Sequence, residues 1–207
     1  MPTLLKIDVS PRGADSISRT LSQQFVDRWQ QNHPDAKIVT RDLATSNLPY
    51  IDLPWIAGAY TPPPQHTAEH KQALKVSDDL IAEIQAADEI LIATPMYNFA
   101  VPAVLKAWID HIVRAGHTFA VGPDGYKGLI TGKKVTILIA SSGVYPAGTP
   151  YEAYNFETPY LRHILGFIGL TDVTVVHAGG TAGIAQGKTS KEDFLATFTP
   201  EVLAAAK

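Results

Sequence analysis

Short apolar runs alternate with amphipathic stretches five times along this chain, a pattern that few folds accept. The runs are Thr3–Val9, Lys37–Arg41, Glu89–Ala93, Val135–Ala140 and Val173–His177. Each has strand length, and the third is apolar after its first residue, as expected for a strand covered on both faces. The stretches between them carry helical spacing. Leu21, Phe25 and Trp29 recur every four residues after Ser16 or Ser18, either of which can cap a helix that ends near His33-Pro34. Val76, Leu80 and Ile84 share one face of a helix over 65–86. Pro102 suits the first turn of another, whose buried stripe is expected to be Val104, Leu105, Trp108, Ile109 and Ile112. Thr158–Gly169 and Glu192–Ala206 read as the last two helices. Residues 43–64, rich in proline and aromatic side chains, read as one long loop. The segment holding Gly116, Gly122, Gly125 and Gly128 reads as another.

Alternation of this kind, with right-handed crossovers, gives a parallel sheet covered by helices on both faces. Five strands then take the order 2-1-3-4-5, the flavodoxin-like doubly wound arrangement. The chain has 207 residues, no internal repeat and no linker, so a single domain over 1–207 is expected. A net charge of −3 without a run of like charges speaks against nucleic acid as a partner. No apolar run approaches the ~20 residues of a membrane span, so no membrane insertion is expected. The N-terminus lacks the pattern of a secretory signal, which makes the cytoplasm the expected location. There is no cysteine, hence no disulfide, thiolate-bound metal or thiol nucleophile. Redox chemistry would need a bound cofactor.

Ligands of such sheets bind beyond the carboxyl ends of the strands, where the strand order reverses. Three segments meet that condition. The first is Ser10-Pro-Arg-Gly-Ala-Asp-Ser-Ile-Ser18, which runs into a helix N-terminus. Free amides, the helix dipole and the hydroxyls of Ser10, Ser16 and Ser18 suit a terminal phosphate. A capped helix with a polar approach loop would look the same, but placement after the first strand favours phosphate. The segment is neither a P-loop nor Gly-x-Gly-x-x-Gly. The second is Thr94-Pro-Met-Tyr-Asn-Phe-Ala100. Met96, Tyr97 and Phe99 can cover a flat ring and Asn98 can address its polar edge; Met96 and Phe99 could instead fill core, the weaker reading in this loop. The third, Ser141-Ser142-Gly143, offers hydroxyls and a close backbone approach, or is an ordinary turn.

The chain resembles the bacterial FMN-dependent NADH azoreductases, also described as NAD(P)H:quinone oxidoreductases. The resemblance runs through Ser10 with Ser16-Ile-Ser18, Leu80-Ile-Ala-Glu83, Pro95-Met-Tyr-Asn-Phe99, Arg114-Ala-Gly-His-Thr-Phe119, Gly128 to Lys134, Thr158-Pro-Tyr-Leu161, Leu165 to Gly169 and Thr171-Asp-Val173. It implies tightly bound FMN, NADH or NADPH as donor, and quinones and azo compounds as acceptors. It also implies a homodimer with its sites at the interface. Carried over by position, the flavin contacts are Ser10, Ser16, Ile17 and Ser18 at the phosphate. At the ring they are Pro95, Met96, Tyr97, Asn98, Phe99, Ser141, Ser142, Gly143 and Val144. The family commonly has Ser-Arg-Gly-Gly in the third segment, where this chain has Ser142 and Val144 in place of the arginine and second glycine. Asp15 places a negative charge beside the phosphate segment and is expected to point away.

On this reading no side chain is a nucleophile or acid–base catalyst, because the flavin carries the chemistry. One open face serving donor and acceptor in turn implies ping-pong kinetics. Residues 43–64 are expected to wall the acceptor pocket or touch the partner subunit. His66-Thr-Ala-Glu-His70 matches a zinc-peptidase pattern on one helical face but lacks a third ligand, so no metal is expected. The alternative function is a flavodoxin-type electron carrier or regulator without small-molecule turnover.

Overall fold

The computed structural model describes residues 1–207. Its central sheet is built from β1 (Thr3–Asp8), β2 (Lys37–Asp42), β3 (Glu89–Pro95), β6 (Lys134–Ser141) and β7 (Asp172–Gly179). The order is β2-β1-β3-β6-β7 and every pairing is parallel, as the alternation predicts. Because side chains alternate across a pleat, neighbouring residues serve opposite cores. Leu5, Ile7, Ile90, Ile92, Ile137 and Ile139 enter one cluster, while Leu4, Leu91, Leu138 and Val176 enter the other.

Helices α1 (Ile17–Asn32) and α7 (Lys191–Ala205) cover the second cluster with Leu21, Phe25, Trp29, Phe194, Leu195 and Val202. The opposite face is covered by α3 (Ala68–Ala86), α4 (Ala103–Ile112) and α5 (Glu157–Phe167). On α4 the buried stripe includes Leu105, Trp108, Ile109 and Ile112, but Val104 lies on its flank and stays exposed. α1 begins where expected: the Arg19 amide donates to Ser16 Oγ at 3.3 Å. It ends at His33, since the residue before a proline disfavours helix.

Three departures from the sequence reading have simple causes. Residues 43–64 are not all loop: Leu53–Tyr60 form α2. Asp52 caps it, accepting from the Trp55 amide at 2.9 Å, and Pro54 occupies the first turn, where proline costs no hydrogen bond. The glycine-rich segment folds as an antiparallel hairpin, β4 (Phe119–Gly122) with β5 (Gly125–Gly128). It docks on the end of α5, where a Cβ on Gly128 would lie 2.2 Å from the Gly169 nitrogen. Finally α3 starts at Ala68, capped by Thr67, because Pro63–Gln65 take up a separate 3₁₀ turn. One further short helix, α6 (Ala182–Ala185), follows β7.

Candidate flavin site at the strand tips

The three segments converge beyond the ends of β1, β3 and β6. A cavity of about 100 Å³ there is lined by Ser10, Ser16, Ile17 and Ser18 from the first segment, Pro95, Met96 and Tyr97 from the second, and Ser142 from the third. Arg12, Ala140 and Thr181 complete the wall. A second hollow of about 190 Å³ brings Asn98, Phe99 and Ser141 together with Met96, Ser142 and Tyr145. Of the thirteen residues singled out from the sequence, Gly143 and Val144 line neither. The Gly143 carbonyl accepts from the Gly180 amide at 3.1 Å, while the Val144 side chain packs toward Gly180 and is 58% exposed.

The first segment has the chemistry of an anion cradle. Ser10, Ser16 and Ser18 are almost wholly buried, yet they line a cavity. Ser16 and Ser18 place their hydroxyl oxygens 3.1 Å apart. The amides of Ile17 and Ser18, in the first turn of α1, have no intrahelical acceptor. Buried donors without carbonyl partners at a helix N-terminus suit a phosphate. Arg12 adds the cation that the sequence reading passed over; its signal was a lone guanidinium inside a serine-rich loop. Asp15 is absent from this wall and instead lines an adjoining cleft with Arg12 and Lys191. Arg19 fixes the segment from behind. Its Nε donates to the Ser10 carbonyl at 2.7 Å, and its terminal nitrogens reach Asp42 at 2.6 Å and Asp8 at 3.5 Å. The Arg19 guanidinium holds the Asp42 carboxyl below the usual carboxylate range, against the opposing effect of burial.

The second segment is held in a costly shape. Asn98 and Phe99 adopt φ of 49° and 69°, two successive non-glycine residues in the left-handed region. Each such residue costs about 1–3 kcal/mol and persists only where its surroundings impose it. Here Tyr97 and Ala100 exchange backbone hydrogen bonds at 3.0 Å, and the Phe156 amide donates to the Phe99 carbonyl at 3.0 Å. The Met96 amide donates to Ala140 at 2.8 Å, tying the segment to β6.

The third segment is fastened to β7. Ser141 Oγ donates to the Gly143 carbonyl at 2.8 Å and lies 2.7 Å from His177 Nε2. Ser141 gives its one hydrogen to Gly143, so His177 Nε2 is the donor to Ser141 Oγ, and burial pulls the His177 pKa down. The Tyr145 ring folds over Gly143, so closely that a Cβ there would meet its hydroxyl at 2.6 Å. Tyr145 was not legible as a site residue, because nothing in its spacing sets it apart.

A larger open depression, about 810 Å³, adjoins the second segment and is lined by Tyr97, Asn98, Val101, Lys106, Phe156 and Tyr160 among others. No residue of 43–64 lines it or either cavity, so within one chain that stretch does not wall the site. The spacing of His66 and His70 does not put both histidines on one helical face. His66 precedes α3, and its Nε2 faces the carbonyls of Gly58 and Thr61 at 3.0 and 2.8 Å. That nitrogen must be a donor and has no lone pair for a metal.

Comparison with known proteins settles the kinship. The family model described as "Flavodoxin-like fold" matches residues 2–199. The chain belongs to this flavodoxin-like family. Among curated relatives, an FMN-dependent NADH:quinone oxidoreductase 2 of Jannaschia sp. (strain CCS1) is 49% identical over 207 residues, covering 100% of both chains. An FMN-dependent NADH:quinone oxidoreductase of Nostoc sp. (strain PCC 7120 / SAG 25.82 / UTEX 2576) is 49% identical over 197 residues, covering 95% of this chain and 94% of its own. Among solved structures, an azoreductase from Bacillus anthracis str. Sterne superposes with a TM-score of 0.89 at 29% identity, over 100% of this chain and 99% of that one. In this flavodoxin-like chain the residues present fit an FMN group: buried phosphate donors at one end, and a preshaped Met96–Phe99 platform at the other.

Proposed function

We propose that this protein is an FMN-dependent oxidoreductase that reduces quinones by two electrons and cleaves azo compounds reductively, with NADH or NADPH as donor. The observation that carries the reading is the meeting of a buried serine cradle at the start of α1 with Pro95, Met96 and Tyr97, which lead into the strained Asn98-Phe99 turn. The names of the relatives support turnover of small molecules over a role as electron carrier alone. FMN, when bound, supplies the acceptance of hydride and the release of electrons.

The chain supplies position and electrostatics. Ser10, Ser16, Ser18 and the first amides of α1 bind the phosphate, aided by Arg12. Pro95, Met96, Tyr97, Asn98 and Phe99 support the ring from one side, with Ser141 and Ser142 at its edge. Backbone amides of these loops that no carbonyl occupies would stabilise the negative charge the ring gains on reduction. Gly143 and Val144 serve by holding the third loop against β7. The open depression beside Tyr97 and Phe156 admits the nicotinamide and then the acceptor, which gives ping-pong kinetics. Exposed Leu53, Ile56, Tyr60, Val104 and Phe156 support a homodimer with its sites at the interface. No helix is long and apolar enough to cross a membrane, and a cytoplasmic location is in keeping with the nicotinamide donors.

The test is anaerobic titration of the yellow purified protein with NADH and with NADPH, followed by quinones and azo dyes. Bleaching by nicotinamide and recolouring by a quinone, with parallel double-reciprocal lines, is the expected result. A colourless protein that retains no added FMN would refute the reading.

A further inference from the structure

Glu157 opens α5 with its side chain in the interior, 0% exposed. Its Oε1 lies 3.1 Å from Thr94 Oγ1, and its Oε2 has no partner. Thr94 Oγ1 also lies 3.1 Å from the carbonyl of Pro95, the first residue of the ring-supporting loop. A hydroxyl carries a single hydrogen. Both contacts are full two-centre hydrogen bonds at once when Glu157 donates to Thr94 while Thr94 donates to Pro95. A carboxyl can donate only when protonated. Burial pushes the Glu157 pKa up to about 8, with the Thr94 hydroxyl opposing, so the group is neutral at pH 7. Thr94 is the polar group that faces it from β3. One turn along α5 stands Tyr160, near Lys106 and Asp110 of α4. No charged residue enters the balance at Glu157 itself. The adjacent Phe156 amide holds the Phe99 carbonyl at 3.0 Å. The start of α5 thus grips the loop at both ends, with Met96, Tyr97 and Asn98 between.

We propose that Glu157 is a positioning residue for the flavin loop, its protonated carboxyl donating to Thr94 so that the Thr94 hydroxyl donates to the Pro95 carbonyl. When the carboxyl releases its proton to solvent, the acceptor-only carboxylate draws the Thr94 hydrogen to itself. The Pro95 carbonyl then loses its partner and the loop entry loosens. This rests on the flavin reading of the site.

The test compares FMN affinity, read from quenching of flavin fluorescence between pH 6.5 and 9.5, in the wild-type protein, Glu157→Gln and Glu157→Val. Circular dichroism checks that each is folded. Glutamine can donate but does not titrate; valine can do neither. Ionisations of FMN itself cancel between proteins. Relative to E157Q, wild-type affinity is expected to fall by about fivefold, the effect of one ordinary hydrogen bond, with a midpoint near pH 8. E157V should bind about fivefold more weakly than E157Q at pH 6.5. Parallel pH profiles for wild type and E157Q would overturn the proposal while leaving the flavin site standing. If valine prevents folding, that pair alone decides. Failure of the folded wild-type protein to bind FMN at any pH would overturn both readings.

Discussion

Removing the Ser18 hydroxyl tests the phosphate cradle most directly. Ser18 lies in the first turn of α1 and is 0% exposed, and its oxygen has one protein partner, Ser16 Oγ at 3.1 Å. Ser18→Ala leaves the helix cap intact, because the Arg19 amide is held by Ser16 and not by Ser18. The loss therefore falls on the ligand. A hydrogen bond to a charged group is worth about 1.5–3 kcal/mol, so the FMN dissociation constant should rise by about 10- to 150-fold. Riboflavin offers the same ring without the phosphate, and its affinity should change by less than about twofold, the limit set by a change of under ~0.4 kcal/mol. Both constants are read from fluorescence quenching on one protein preparation, with thermal unfolding confirming that the fold survives. Equal weakening of FMN and riboflavin, or no weakening of FMN, would refute the assignment of phosphate to this helix end.

Three further outcomes follow from features away from that cradle. Gly128→Ala drives a methyl group into the Gly169 backbone and should cost several kcal/mol, on the order of 3, in urea unfolding. Between the unfolded carboxyl pKa of 4.5 and the folded value of about 8, the unfolded chain loses the Glu157 proton while the folded chain keeps it. Wild-type stability should therefore fall against that of E157V by about 1.4 kcal/mol per pH unit across that window, and level off on either side. A flat difference in unfolding between pH 5.5 and 7.5 would contradict this. Replacing Trp55 and Tyr60 together by alanine should shift sedimentation toward monomer, since α2 leaves Tyr60 85% exposed and walls no cavity of its own chain.

Much of this architecture is legible in the sequence because its central strands, β3 and β6, are buried almost throughout. Runs such as Ile90-Leu-Ile92 have strand length, and every stretch between the five runs is long enough for a crossover helix. The site follows from that topology: loops after strands one, three and four must meet. What escapes notice is structure whose signal points elsewhere. Pro54 reads as a breaker, though at a helix start it is neutral. Four glycines read as loop, though Gly122 and Gly125 flank the turn of a hairpin and Gly128 lets it lie against Gly169. Glu157 reads as an acidic residue favouring a helix N-terminus, and only three-dimensional placement reveals it as an interior acid beneath Thr94. Arg12, Tyr145 and Thr181 join the site through chain reversals that no periodicity encodes.

The sheet is also a partition. The helix under the serine cradle shares its core with α7, while the loop from Pro95 to Phe99 shares its core with α4 and α5. On the proposed binding mode the two ends of the group stand on opposite cores of the sheet, Ile17 on one and Met96 on the other. A fluctuation that lifts α7 would disturb the core under the serine cradle and leave the core beneath Met96 standing. On the proposed binding mode, release of the group would proceed tail first or ring first according to which foundation yields.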